Sequence, residues 1–169
     1  MKSSLNINQL SSKRSFNING YLFEYEKPLV MGILNMTPDS FYDGGRYNSI
    51  DSAISRVEGM INNGASIIDI GGCSTRPGSD IITIEEEWKR IGGIIKECSI
   101  RFKDTLFSVD TFRSEIAKRS LEEGIHIIND VSGGSLDSEM FDIISKYNRP
   151  YILMHLKGTP KDMMSKTNY

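Results

Sequence analysis

The sequence predicts an α/β fold built on a parallel sheet, and three observations carry that reading. Apolar runs rich in β-formers alternate with segments whose apolar residues recur at helical spacing. The runs are apolar nearly throughout, as in strands covered on both faces, rather than at every second position. Each run then ends in a polar or acidic residue followed by glycine, threonine or proline: MGILNMTPDSFYDGG, IIDIGGCSTRPG, LFSVDTFR, IINDVSGG and YILMHLKGTP. Strands that open into such loops build binding sites at their carboxyl ends. An open doubly wound sheet and part of a (β/α)8 barrel both fit. Polar endings on all five strands lean toward the barrel, whose strand tips ring one mouth. A whole barrel needs about 250 residues, and this chain has 169. The expectation is therefore an incomplete barrel of about five βα units, with open sheet edges.

The elements follow in order. Residues 15–26 predict a hairpin turning at Asn19-Gly20, an Asn-Gly pair between β-formers. Residues 1–14, rich in Ser, Asn and Lys, read as a flexible lead, which leaves 15–169 as one domain. The first parallel strand is expected near 29–35. A helix near 50–63 has Ser49 as N-cap, Ala53, Val57 and Ile61 on one face, and Gly64 as stop. The second strand covers 66–70. Thr83 and Glu86 form a capping box for a helix whose apolar face is Trp88, Ile91, Ile95 and Cys98. The third strand covers 105–110. Its helix carries Ile116, Ala117 and Leu121 and stops at Gly124. The fourth strand covers 125–129. A helix over 137–147 uses Met140, Phe141, Ile144 and Tyr147. The fifth strand covers 151–154, and Pro160 opens a last helix.

Composition narrows the function classes. Hydrophobic residues make up 38 % of the chain, charged residues 25 %, and net charge is −2. That balance argues against nonspecific nucleic-acid binding, which needs a basic excess. Charged residues interrupt every apolar stretch before bilayer length, so no membrane partner is expected. The N-terminus lacks the apolar core of a secretory signal. Cys73 and Cys98 show no CxxC spacing, which argues against a disulfide framework or a structural zinc site. A reducing cytoplasm is the expected location. P-loop, nucleophile-elbow, zincin and dinucleotide-binding motifs are all absent from the sequence.

The strand ends hold the candidate site residues. Asn35 closes the first strand. An asparagine there commonly caps a turn, but the attached loop of hydroxyls, Asp39, Asp43 and two glycines favours an oxygen ligand for a hard cation such as Mg²⁺. Phe41 is either a lid over a ligand or packed core. Gly71 and Gly72 let backbone approach a ligand, and Ser74, Thr75 and Arg76 offer two hydroxyls and a guanidinium suited to phosphate. Asp69, inside its strand, reads as a buried structural partner for Arg76 or a nearby hydroxyl. Asp110 is equally placed to bind ring N–H groups of a heterocycle or to cap the next helix, a job Thr111 can also do. Asn129 offers donor and acceptor to a heterocycle edge, and Asp130 stabilises the Ser132-Gly133-Gly134 loop. Met154 either pads a flat ring or belongs to the core. His155 reads as structural or close to phosphate, and His126 as structural.

These segments, in this order and at these distances, resemble the dihydropteroate synthases of folate biosynthesis over about residues 15–165. The resemblance implies a TIM barrel. It also implies a transferase that condenses (7,8-dihydropterin-6-yl)methyl diphosphate with 4-aminobenzoate, giving dihydropteroate and diphosphate on the route to tetrahydrofolate. Asn35 then matches the Mg²⁺ and diphosphate asparagine. Thr75 and Arg76 match the second loop, which meets diphosphate and the aminobenzoate region. Asp110 and Asn129 match pterin-binding positions, and Met154 the pterin-pocket lining. Asp39, Phe41 and Pro77 match positions that close around the aminobenzoate. Asp110 and Arg76 are the expected catalytic residues. Cys73 stands where the family often has Glu, and no role is assigned to it. The resemblance implies a homodimer, whose usual interface is largely missing from these 169 residues, and it expects later Asp-Pro-Gly, Ser-Arg-Lys and Arg-x-His segments that also lie outside them. The alternative is an inactive pterin-binding fragment or one half of a split enzyme. A methyltetrahydrofolate-dependent methyltransferase fits the TPDSF and STRPG loops less well.

Overall fold

The computed structural model describes residues 14–37, 46–74, 82–155 and 157–158. The lead over residues 1–13, the two loops carrying Asp39, Phe41, Thr75, Arg76 and Pro77, and the helix expected from Pro160 lie outside the described residues.

A hairpin comes first. Strands β1 (Arg14–Ile18) and β2 (Tyr21–Tyr25) pair antiparallel, with Ile18 opposite Tyr21. Arg14 thus belongs to the sheet and not to the lead. Asn19 and Gly20 both take positive φ, 52° and 90°, the backbone a two-residue turn with the right twist requires. The turn is tied to the main body: Asn19 N–H donates to the Asn148 carbonyl at 3.2 Å.

Then strands and helices alternate: β3 (Met31–Asn35), α1 (Arg46–Asn62), β4 (Ile67–Gly71), α2 (Ile84–Arg101), β5 (Leu106–Asp110), α3 (Ser114–Glu122), β6 (Ile127–Asp130), α4 (Met140–Tyr147) and β7 (Tyr151–Leu153). The five strands β3 to β7 are parallel and lie side by side in sequence order. A doubly wound sheet reverses its strand order at a switch point; this one never reverses. Successive helices touch one another, α1 with α2, α2 with α3, α3 with α4, so they share one face. The architecture is an incomplete (β/α)8 barrel with an N-terminal hairpin, and β3 and β7 are its edges.

The core lies between the sheet and this helical layer. Leu34, Ile68, Ile70, Phe107, Val109 and Ile128 point outward from the strands and pack with Val57, Ile91, Ile95, Cys98, Ile116 and Met140. Strand alternation sends the intervening residues to the other, inner face. There Ile33 is 60 % exposed and Ile152 39 %. Helices cover the outer face; the inner face is buried over the central strands, where all of β4 is buried, and exposed at the edge strands β3 and β7, so coverage on both faces holds for the central strands. The apolar runs remain because most outer positions are apolar, while inner Asp69 and Ser108 interrupt them one row below the mouth.

Local differences have local causes. Helix α1 begins at Arg46, which places Ser49 inside it and not at its cap. Thr83 does cap α2, its Oγ1 accepting from Glu86 N–H at 3.2 Å, but the Glu86 carboxylate turns to Arg90 and Lys89 instead of closing the box. Phe141 leaves the predicted apolar face of α4: it is 49 % exposed and stacks edge-on against Tyr151. It lies about 100° around the helix from buried Met140. His126 precedes β6 rather than sitting within it, and its Nδ1 accepts from Phe107 N–H at 3.1 Å, a structural role as expected.

Phe107 is fully buried between sheet and helices. Its replacement by Ala is expected to cost about 3–5 kcal/mol, while Ile33→Ala on the exposed inner face should stay within about 0.5 kcal/mol. Urea midpoints of the two variants measure the contrast.

Candidate active site

Parallel pairing sets the site. Asn35 registers with Gly71, Gly71 with Asp110, Asp110 with Asn129, and Asn129 with Ile152. One rung at the carboxyl end of the sheet thus crosses all five strands. Strand spacing of about 4.8 Å brings the Asp110 and Asn129 side chains side by side. Asn35 and Asp110 stand two strands apart, yet nothing separates them, because the residue between is Gly71. A Cβ on Gly71 would lie 3.1 Å from Asn35 Oδ1 and 3.6 Å from Asp110 Oδ2. The missing side chain is a gap flanked by two oxygens. Gly72 answers a different need: a Cβ there would press to 2.9 Å from Ile91, so only glycine lets β4 pack this closely on α2.

The row beneath the rung is Ile33, Asp69, Ser108 and Ile127. Asp69 is 4 % exposed. Asn129 Nδ2 donates to its Oδ2 at 3.0 Å. Burial raises the Asp69 carboxyl, while nearby Ser108 and Asn129 pull it partway back. Asp69 Oδ1 and Ser108 Oγ nonetheless lack a partner in hydrogen-bond geometry. The partner of Asp69 is an amide, where the sequence pointed to Arg76 or a hydroxyl.

Asp110 is not a helix cap. Asp137 Oδ2 accepts from Ser114 N–H at 2.7 Å and Thr111 Oγ1 from Arg113 N–H at 3.2 Å, so the start of α3 is served by others. The Asp110 carboxylate faces the mouth. Burial first, then the charges of Asp69, Glu87 and Asp130, push it up to about 7. Asp130 points the other way. Its Oδ1 accepts from Ser132 N–H at 2.7 Å and its Oδ2 from Gly134 N–H at 3.0 Å and the Tyr151 hydroxyl at 2.6 Å. It holds the loop after β6, as the sequence indicated. Met154 follows β7, half-buried, two residues past Ile152 and on the same side by alternation. Its N–H donates to the Asp130 carbonyl at 3.3 Å. His155 is exposed beside it.

Sequence reasoning missed a buried charge network behind the mouth. Glu87 on α2 is fully buried. The Thr111 hydroxyl donates to its Oε1 at 2.9 Å, and Arg113 Nη1 donates to its Oε2 at 2.5 Å. Arg113 Nη2 donates to the Ile82 carbonyl, and Arg90 Nη1 to the Gly72 carbonyl at 3.1 Å. The network joins the residue after Asp110 to both ends of the β4–α2 loop, in which Thr75, Arg76 and Pro77 stand. A signal existed in the sequence: Glu87 falls four residues before Ile91 on the apolar stripe of its helix. Cys73 lies beside the same network, buried, with its thiol raised by burial and then by Glu87. Such a thiol is unreactive.

The family model described as pterin binding enzyme matches residues 31–169. The chain belongs to the pterin binding enzyme family. Relatives within and around it agree. A dihydropteroate synthase of Synechocystis is 43 % identical over 88 % of this chain and 51 % of its own length. The mitochondrial folate synthesis bifunctional protein of pea is 47 % identical over 89 % of this chain and 30 % of its own. The crystal structure of Yersinia pestis dihydropteroate synthase with a sulfonamide drug superposes with a TM-score of 0.79 at 37 % identity, covering 92 % of this chain and 56 % of that one. The chain thus spans about half the length, or less, of the relatives it matches. Asn35, Asp110 and Asn129 stand together on the rung at the carboxyl end of the sheet.

Two outcomes follow. A carboxyl raised in the native state holds its proton where the unfolded chain has lost it. The native protein then binds more protons between pH 3.8 and about 7, and stability falls as pH rises through that window. Asp110→Asn should remove this slope and exceed wild type above pH 7 by on the order of 1–3 kcal/mol, read from urea melts at pH 5 and pH 8. Arg113→Met strands the Glu87 charge and should cost about 3–5 kcal/mol at neutral pH. That loss should shrink in acid melts as Glu87 takes up a proton.

Proposed function

We propose that this chain carries the pterin and diphosphate half of a dihydropteroate synthase site. The observation that carries the reading is the shared rung of Asn35, Gly71, Asp110 and Asn129 in a chain of the pterin binding enzyme family. In the reaction the pterin methylene C–O bond breaks, and its electron pair leaves with diphosphate. The amine lone pair of 4-aminobenzoate forms the new C–N bond, and the resulting anilinium proton goes to solvent or diphosphate.

The residues divide this work. Asp110 and Asn129 bind the pterin edge, and ionised Asp110 stabilises the positive charge that builds as diphosphate departs. Met154 lies against the ring. Thr75 and Arg76 hold diphosphate, with the guanidinium fork matched to its oxygens. Asp39, Phe41 and Pro77 close around the aminobenzoate. An aryl amine is already nucleophilic, so no strong base is required. Asn35 Oδ1 and Asp110 Oδ2, flanking the gap at Gly71, are hard oxygen donors that suit Mg²⁺ together with its waters. Bound there, Mg²⁺ would neutralise charge on the leaving diphosphate. The two buried free cysteines fit a reducing compartment, and the cytoplasm is the reading we propose. A homodimer is proposed from the resemblance alone.

The exposed inner positions on the two edge strands favour a second reading of this chain by itself. Among the described residues Ile33, one row below the rung, and Ile152, on it, are exposed, and the relatives are longer. A chain with these edge positions exposed would bind ligand yet turn it over slowly or not at all. Purified chain supplied with (7,8-dihydropterin-6-yl)methyl diphosphate and 4-aminobenzoate is expected to form little dihydropteroate; a robust rate by product chromatography would reject this second reading. Asn35→Ala should weaken Mg²⁺-dependent diphosphate binding about tenfold, or ~1.4 kcal/mol, by calorimetry. Unchanged affinity would remove Asn35 from the metal assignment.

A further inference from the structure

Asp69 has no part in the chemistry above, yet its placement is costly. It sits inside the barrel face, one row below the rung, with neighbours Ile33 and Ile127 in the same row showing that an apolar residue suits that depth. One of its oxygens has only the Ser108 hydroxyl nearby, outside good hydrogen-bond geometry, and burying a carboxylate incompletely satisfied is unfavourable. Something other than packing keeps a charge here.

Its hydrogen bond to Asn129 explains what. Asn129 Nδ2 donates to Asp69 Oδ2 at 3.0 Å. An ionised carboxylate only accepts, so the Asn129 amide must turn its NH2 down to Asp69. The amide oxygen is then left for the mouth. A free asparagine can flip and offer either end; this one is fixed. Beside it on the rung stands Asp110, another acceptor, and beyond Gly71 lies Asn35 Oδ1.

We infer that Asp69 is a positioning and specificity-determining residue: it locks Asn129 with its oxygen toward the ligand, so that the mouth presents neighbouring acceptors and selects a flat heterocycle whose edge carries neighbouring N–H donors. The inference rests on the pterin reading and deepens it. A ring that turned acceptors toward Asn129 and Asp110 would leave like faced with like, and would be rejected more strongly than one that merely lacked a contact.

The test reverses the polarity of the pair. Calorimetry measures binding of 7,8-dihydropterin to the wild-type chain, D69N, N129D and D69N/N129D. In D69N the new amide lets Asn129 turn over, and affinity should fall about tenfold or more. In N129D two carboxylates face each other, with a similar loss. In the double variant the amide at position 69 donates down the reversed pair, and a carboxylate oxygen again faces the ligand. Affinity should return to within about threefold of wild type. D69N that binds like wild type, or a double variant no better than the singles, overturns the inference. Failure of the wild-type chain to bind dihydropterin counts against the pterin reading only. The inference is then decided by NMR of the wild-type Asn129 side chain. Slow exchange of an Nδ2 proton supports it, and exchange as fast as in an exposed asparagine refutes it.

Discussion

Register across five parallel strands is the constraint on which the rest of this structure depends. Side chains alternate across a strand, so a slip of one residue would turn the apolar set of β4 or β5 inward and its carboxylate into the core. Leu34, Ile70, Val109 and Ile128 are fully buried on the outer face, and they hold the register that aligns Asn35, Gly71, Asp110 and Asn129 on the inner one. The core therefore specifies the site without touching it. The hairpin adds a tie at the opposite end, through the turn at Asn19 and the Asn148 carbonyl.

Acidic groups crowd the end of β5 that bears Asp110. Asp69, Glu87 and Asp130 surround Asp110 and oppose its ionisation in the empty protein. Two of the surrounding groups are neutralised locally and one is not. Arg113 faces Glu87, and backbone N–H groups face Asp130, whereas Asp69 has an amide. The last of these carries least compensation and stands nearest the proposed ligand edge.

Behind the mouth, Glu87 links elements distant in the chain. It receives the Thr111 hydroxyl from the end of β5 and the Arg113 guanidinium from the start of α3, and Arg113 in turn reaches the carbonyl of Ile82. A buried ion pair is weak evidence of stability but strong evidence of a fixed arrangement, since either partner alone is costly. The strand end that bears Asp110 and the segment that leads from the Arg76 loop into α2 are thereby held to one helix.

The sequence by itself determined the order and type of every parallel strand, the Asn19-Gly20 hairpin, the helix stops at Gly64 and Gly124, and the polar strand ends Asn35, Asp110 and Asn129. Those features are local: periodicity, turn chemistry and apolar runs act within a few residues. It misplaced the start of α1 and the facing of Phe141, because helix ends and marginal faces are set by what packs beside them. The outcome between an open sheet and a barrel wall was also tertiary, since strand order is a matter of pairing between segments some 19–39 residues apart. The same is true of the pairing of Asp69 with Asn129, separated by 60 positions, and of Glu87 with Arg113, separated by 26. A carboxylate declares its charge in the sequence, but its partner is chosen only when folding has removed water and left one donor within reach.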